Sequence, residues 1–185
     1  ESVAATGWLA GVLAVTTTEL ADELVGGVFS AGPDRLTAAG RAGVPQVVSV
    51  GALDMVNFGP KDTVPERFAD RNLYVHNPSV TLMRTTPEEC AELGRRLATR
   101  LSAATGPSAL FLPLKGISAI AVEGGPFYDP EADAALFDAI RSTLDRSRVE
   151  LVELDLDIND PAFAAAMADK LDSYVKVASG EGGAR

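Results

Sequence analysis

Short apolar runs alternate with longer segments of helical period along this chain, and that alternation limits the fold more than any other feature. The runs lie at residues 11–15 (GVLAV), 46–50 (QVVSV), 72–76 (NLYVH), 109–112 (ALFL) and 149–154 (VELVEL). Several are almost continuously apolar, as strands covered on both faces of a parallel sheet must be. The helical segments are expected at 17–25, 33–41, 87–104, 130–145 and 161–177. Four of these open on a proline, at Pro33, Pro87, Pro130 and Pro161, where the missing N–H costs a helix nothing. Thr86, Asp129 and Asp160 precede three of those prolines as N-caps, and Thr16 with Glu19 fits a capping box. Gly26, Gly27, Gly43 and Gly106 read as helix stops. Strands that alternate with helices imply βαβ units. The expected fold is therefore α/β: an open, mostly parallel sheet of about five strands with helices on both faces, Rossmann-like.

At 185 residues the chain suffices for one domain, expected over 1–178, with a flexible Gly-rich tail at 179–185 (SGEGGAR). The interval 51–71, with Gly59, Pro60 and Pro65, reads as one long irregular loop, and loops of that length are usually functional. The missing initial Met suggests a fragment of a longer protein. Acidic residues number 26 against 16 basic, a formal charge of −10. That balance disfavours nucleic acid and anionic membranes, whose phosphates need Lys and Arg. Cys90 is the lone cysteine, so no internal disulfide can form, which fits a reducing, cytoplasmic setting. Its helical stripe with Leu93, Leu97 and Leu101 makes it core. His76 is the lone histidine, so a His-rich metal site cannot be built. No stretch reads as a membrane span.

In open parallel sheets ligands bind beyond the carboxyl ends of the strands, so the residues that follow each strand are the candidates. After the first come Thr16, Thr17, Thr18 and Glu19, whose hydroxyls and amides suit an anionic oxygen or simply cap a helix. After the second come Gly51, Asp54 and Asn57. Gly51 would admit a ligand to the backbone, and the two polar side chains would hold a ribose or a base, or else form an Asx-turn. The third ends in His76 and Asn77, a candidate general base or a structural hydrogen-bonder, and Asn77–Pro78 favours a turn. After the fourth come Lys115, Gly116 and Ser118, with Lys115 either a phosphate partner or a solvated cation; no Walker or G-x-G-x-x-G pattern is present. Asp155, Asp157 and Asp160 follow the fifth, but they lack an EF-hand pattern, and no metal is predicted there.

The run from Thr16 to Gly59, together with HNPSVTLMRTTPEE (76–89), LPLKGIS (112–118) and GGPFYDPEAD (124–133), resembles the Tm-one-like ATP-binding family, that of the tomato mosaic virus resistance protein. The resemblance runs from about residue 9 to 177. It implies a longer protein of two Rossmann-like halves, of which this chain matches the C-terminal one. It also implies ATP as cofactor, and, for the plant member, inhibition of viral RNA replication through binding of the viral replication protein. Ala14 and Ala121 stand where the family pattern has Asp, which counts against metal-dependent hydrolysis. Three functions follow as expectations. The first is a domain that binds a nucleotide or another phosphorylated small molecule, with the N-terminal half of the same protein as its neighbour. The second is an enzyme on a small carbonyl or phosphate compound with His76 as base. The third is an interaction module, a homo-oligomer through apolar segments such as 25–30 (VGGVFS).

Overall fold

The computed structural model describes residues 2–180. In chain order they form β1 (Val12–Thr16), α1 (Glu19–Val25), a single-turn α2 (Ala38–Arg41), β2 (Gln46–Gly51), β3 (Met55–Phe58), β4 (Leu73–Asn77) and β5 (Val80–Arg84). There follow α3 (Pro87–Ser102), β6 (Ser108–Pro113), α4 (Pro130–Thr143), β7 (Val149–Leu154) and α5 (Pro161–Ala178). The four strands β1, β2, β6 and β7 make a parallel sheet in the order β1-β2-β6-β7, and β3, β5 and β4 make a separate antiparallel one. The fold is thus α/β.

Helices cover both faces of the parallel sheet. Strand alternation sends Val48, Val50, Leu110 and Leu112 into one core with Leu93, Leu97 and Leu101 of α3 and Leu136 and Ile140 of α4. The opposite face carries Val47, Ala109 and Phe111 against Phe163 and Met167 of α5. There the Phe111 and Phe163 rings meet edge to face, 6.1 Å between centroids. Cys90 is buried in the first core, as its helical stripe requires.

The prolines and caps mark three helix starts as expected. Thr86 forms a full capping box with Glu89, and Asp129 and Asp160 accept the amides of Ala132 and Ala162. Pro33 does not start a helix: residues 33–37 are turns, Leu36 has a φ of 70°, and α2 begins only at Ala38. The Thr16–Glu19 capping box is also absent. Thr16 is still in the β1 ladder, and the N-cap of α1 is Thr18, which has no side-chain cap bond.

Two further expectations change. The third strand candidate is β4, and it leaves the parallel sheet for the antiparallel one. The interval 51–71 is not one loop. It contains β3 and two 3-10 turns, Lys61–Thr63 and Glu66–Phe68, and Phe68 packs on Phe58. Arg71 closes this stretch by pairing with Glu89 at 2.7 Å and donating to the Arg84 carbonyl. Of the expected tail, Ser179 and Gly180 close α5, and the rest lies outside the described residues.

Candidate functional site

The carboxyl ends of the four parallel strands share one edge. The segment leaving β6, residues 114–129, runs across that edge and then over the antiparallel sheet. Its start is sewn to the strands: Lys115 N donates to the Leu156 carbonyl, Gly116 bridges Asp157 and Ala52 N donates to the Ile117 carbonyl. Its end is held by Arg84 of β5, which is nearly buried. Arg84 donates to the carbonyls of Phe127 (2.9 Å) and Asp129 (3.4 Å), to Thr85 Oγ1, and to Asp133 Oδ1 at 2.7 Å. Burial lifts the Asp133 carboxyl to about 6 despite the guanidinium beside it.

The middle of the segment is pinned by Ser118. Its hydroxyl donates to Asp54 Oδ2 at 2.7 Å and accepts the amides of Ile120 and Ala121. Asp54 is fully buried, and burial pushes its carboxyl above the ordinary range, against the opposing pull of Ser118 and the Arg84 charge. A second buried carboxyl, Asp22 of α1, accepts both the backbone N–H (2.6 Å) and the side-chain amide (2.8 Å) of Asn57. Burial raises Asp22 too, while the Asn57 bonds oppose the rise. Asn57 Nδ2 also donates to Thr18 Oγ1 at 3.1 Å, and Thr18 donates to the Met55 carbonyl at 3.3 Å.

The candidate residues therefore divide. Thr16 is exposed at the end of β1, and its carbonyl accepts from Arg35 Nη2 at 3.5 Å; Glu19 lies 3.6 Å from the same guanidinium. Thr17 is walled in, with its hydroxyl given to the Ser49 carbonyl. Gly51 does not open the backbone to a visitor. A Cβ there would sit 2.4 Å from the Val15 carbonyl oxygen, so its missing side chain serves the close approach of β1. Asp54 is likewise sealed inside. Lys115 is an exposed cation 2.8 Å from Asp155. Asp157 accepts the Asn159 amide and Asp160 caps α5, so each of the three aspartates has a local partner. Among the described residues no group of three or more His, Cys, Asp or Glu side chains is placed to hold a metal ion. Ala14 and Ala121 are both buried in the main core.

Two hollows lie on either side of Ala119. One, of about 220 Å³, lies beyond the strand ends; its walls are mostly aliphatic (Val15, Ala52, Ile117, Ile158), with Thr16, Ser118 and Asn159 as polar points. The other, of about 430 Å³, is the part of the antiparallel sheet that the 114–129 segment leaves uncovered. Its wall is apolar (Phe29, Met55, Val80, Leu82, Ile120), and Asn57, His76 and Asn77 interrupt it. His76 and Asn77 thus reach the site from the second sheet, not from the rim of the first. His76 is exposed, and among the described residues no carboxylate orients it. A larger hollow of about 550 Å³ lies beyond Lys115 and Asp133, where both cations and the buried acid are engaged: Lys115 by Asp155, Arg141 by Glu153 and Asp133 by Arg84.

Sequence reasoning did not find Asp22, Arg35, Arg84 or the apolar wall. Phe29 falls in the 25–30 segment expected as a dimer face and Met55 in the expected 51–71 loop, and the antiparallel sheet places them beside Leu82.

Comparison with known proteins gives the family. The uncharacterised protein family UPF0261, C-terminal domain, matches residues 1–175. A UPF0261 protein of Clostridium tetani is 55% identical over 171 residues, 92% of this chain and 42% of that protein. The UPF0261 protein RA0729 of Rhizobium meliloti is 54% identical over 90% of this chain and 42% of its own length. The ToMV resistance protein Tm-1(GCR237) of Solanum lycopersicum is 43% identical over 88% of this chain and 22% of its own length. The chain spans 42% of the bacterial relatives, less than half of either.

Proposed function

The chain belongs to the UPF0261 family as its C-terminal domain, and from that premise we propose that it binds a nucleotide or another phosphorylated small molecule at the carboxyl ends of its strands. The carrying observation is the pair of hollows flanking Ala119. A nucleotide is a flat, largely apolar ring joined to an anion through a polar sugar. The apolar hollow at Met55, Leu82 and Ile120 suits the ring, and buried apolar walls with few polar groups are what small-molecule sites present. The anion is assigned to the smaller hollow, whose aliphatic walls (Val15, Ile117, Ile158) carry Thr16, Ser118 and Asn159 as their polar points. Thr16 offers a hydroxyl there, and Arg35, whose guanidinium touches the Thr16 carbonyl and pairs with Glu19, stands as a positive charge beside Thr16. Ser118 lines the same hollow, but its hydroxyl hydrogen is spent on Asp54, so its part is to hold the wall.

The test is isothermal titration of ATP into this chain and into the full-length Clostridium tetani relative. The expected result is saturable binding, weakened at least tenfold by Arg35→Ala. Absence of heat in both proteins, with no change in thermal midpoint at millimolar ATP, removes the reading for ATP. Binding by the longer protein alone assigns part of the site to the segment outside this chain.

A further inference from the structure

Two amide side chains face the apolar hollow, and each has one pole already committed. Asn57 spends both Nδ2 hydrogens, on Thr18 Oγ1 (3.1 Å) and on Asp22 Oδ2 (2.8 Å). Thr18 spends its hydroxyl hydrogen on the Met55 carbonyl, so turning the side chain over would set Asn57 Oδ1 against the Thr18 oxygen and take the amide donor from Asp22 Oδ2. The polar atom left for a visitor is Oδ1, an acceptor only. Asn57 is 6% exposed, so this acceptor lies deep, among Met55, Leu82 and Ile120. Asn77 has the opposite polarity. Its Oδ1 accepts the Ser79 amide at 2.9 Å in the turn between β4 and β5, which leaves Nδ2, a donor. Asn77 is exposed, at the mouth of the hollow.

We infer that this hollow selects a planar ring whose edge carries a hydrogen-bond donor to be placed deep, against Asn57, and an acceptor to be placed outward, toward Asn77. An aminopyrimidine edge, an exocyclic amino group beside a ring nitrogen, has that order. An oxo-substituted ring with a protonated ring nitrogen, held in the same orientation by its sugar and phosphate, has the reverse and sets its carbonyl oxygen against the Asn57 oxygen. At the buried Asn57 end of the hollow that mismatch leaves two acceptors facing each other with no hydrogen between them, and such reversals discriminate far more strongly than a lost methylene does. His76 and the apolar wall are indifferent to this exchange, so Asn57 sets the preference and Asp22 with Thr18 are its positioning residues.

The inference rests on the proposed nucleotide reading, and one pair of probes separates the two. Adenosine 5′-monophosphate and inosine 5′-monophosphate share sugar and phosphate and differ at the ring edge. The expected result is at least tenfold tighter binding of the amino compound by titration calorimetry, with the ratio reduced by Asn77→Ala, an exposed position whose change spares the Asp22 network. Equal binding of the two, or tighter binding of the oxo compound, overturns the inference and leaves the nucleotide reading standing. Ribose 5-phosphate binding as tightly as the amino compound also overturns it, because the ring would then add nothing. Failure of both monophosphates to bind overturns the inference, and together with a blank ATP titration it removes the nucleotide reading as well.

Discussion

Ser118 donates one hydrogen bond and accepts two within a single turn, and it satisfies one oxygen of a carboxyl that has no water to turn to. Asp54 Oδ1 has no partner among the described residues, so the Ser118 bond is the one side-chain bond the carboxyl holds. Ser118→Ala removes all three bonds and leaves both Asp54 oxygens unsatisfied. We expect a loss of about 1–3 kcal/mol, read as a lower urea midpoint with unchanged slope. An unchanged midpoint would show that the 120–121 turn and Asp54 stand without it. Both residues were legible as polar groups past a strand end, and they do lie there. What sequence cannot show is that they are spent on one another, since 64 positions separate them. Arg84 is the converse. It closes a short apolar run and carries no local sign of burial, because the carbonyls and carboxylate that make its burial tolerable arrive more than forty positions later, from Phe127 to Asp133.

Helices α3 and α4 approach so closely at Gly94 that a Cβ there would sit 2.6 Å from the Leu136 carbonyl oxygen. Helix propensity and packing then make opposite predictions for Gly94→Ala. Propensity favours alanine inside a helix by roughly 0.5–1 kcal/mol. Overpacking against a backbone atom costs typically about 1–3 kcal/mol, because a carbonyl on a packed helix cannot rotate away as a side chain can. We expect net destabilisation by about 1–2 kcal/mol, measured by urea unfolding; a gain in stability would mean that the two helices separate readily. The long helices were legible because their starts are written locally, as Thr86-Pro87, Asp129-Pro130 and Asp160-Pro161. The same kind of local pattern misleads at Thr16-x-x-Glu19. There the backbone of Thr16 is held in the ladder to Gly51 and cannot take the cap geometry. β3 and β5 escaped notice for another reason. Each is short, and the pairing that makes Met55–Phe58 a strand comes from Val80–Arg84, across two turns and β4. The missing sheet hid the apolar hollow, since Met55, Val80 and Leu82 share a wall only once these strands pair.

The whole molecule carries a formal charge of −10, yet three of its carboxyls are buried enough that burial drives each toward the neutral form. Asp133 is the clearest, rising from 3.8 to about 6. A raised carboxyl value means that the native state keeps a proton that the unfolded chain has already released. Stability from this group is therefore complete below 3.8, declines as pH rises from 3.8 through about 6, and is flat above. For Asp133 alone the difference is on the order of 3 kcal/mol, and Asp22 and Asp54 act in the same direction. Self-repulsion among the surface acids grows over the same range and adds to the decline. The exposed carboxyls whose values are lowered, Glu88, Glu92 and Asp145, oppose it only in more acidic solution, because they are already ionised in both states above the ordinary carboxylate range. The protein should therefore resist urea better at pH 5.5 than at pH 7.5, the reverse of a molecule held together by ionised pairs. Asp133→Asn, which keeps an oxygen for Arg84 but cannot ionise, should narrow that difference. If stability instead rises toward pH 7.5 in the wild type and the Asn variant removes the rise, then the ionised Arg84–Asp133 pair outweighs the burial of its carboxylate. The end of the 114–129 segment would then be fastened by charge instead of by the neutral acid and the backbone carbonyls.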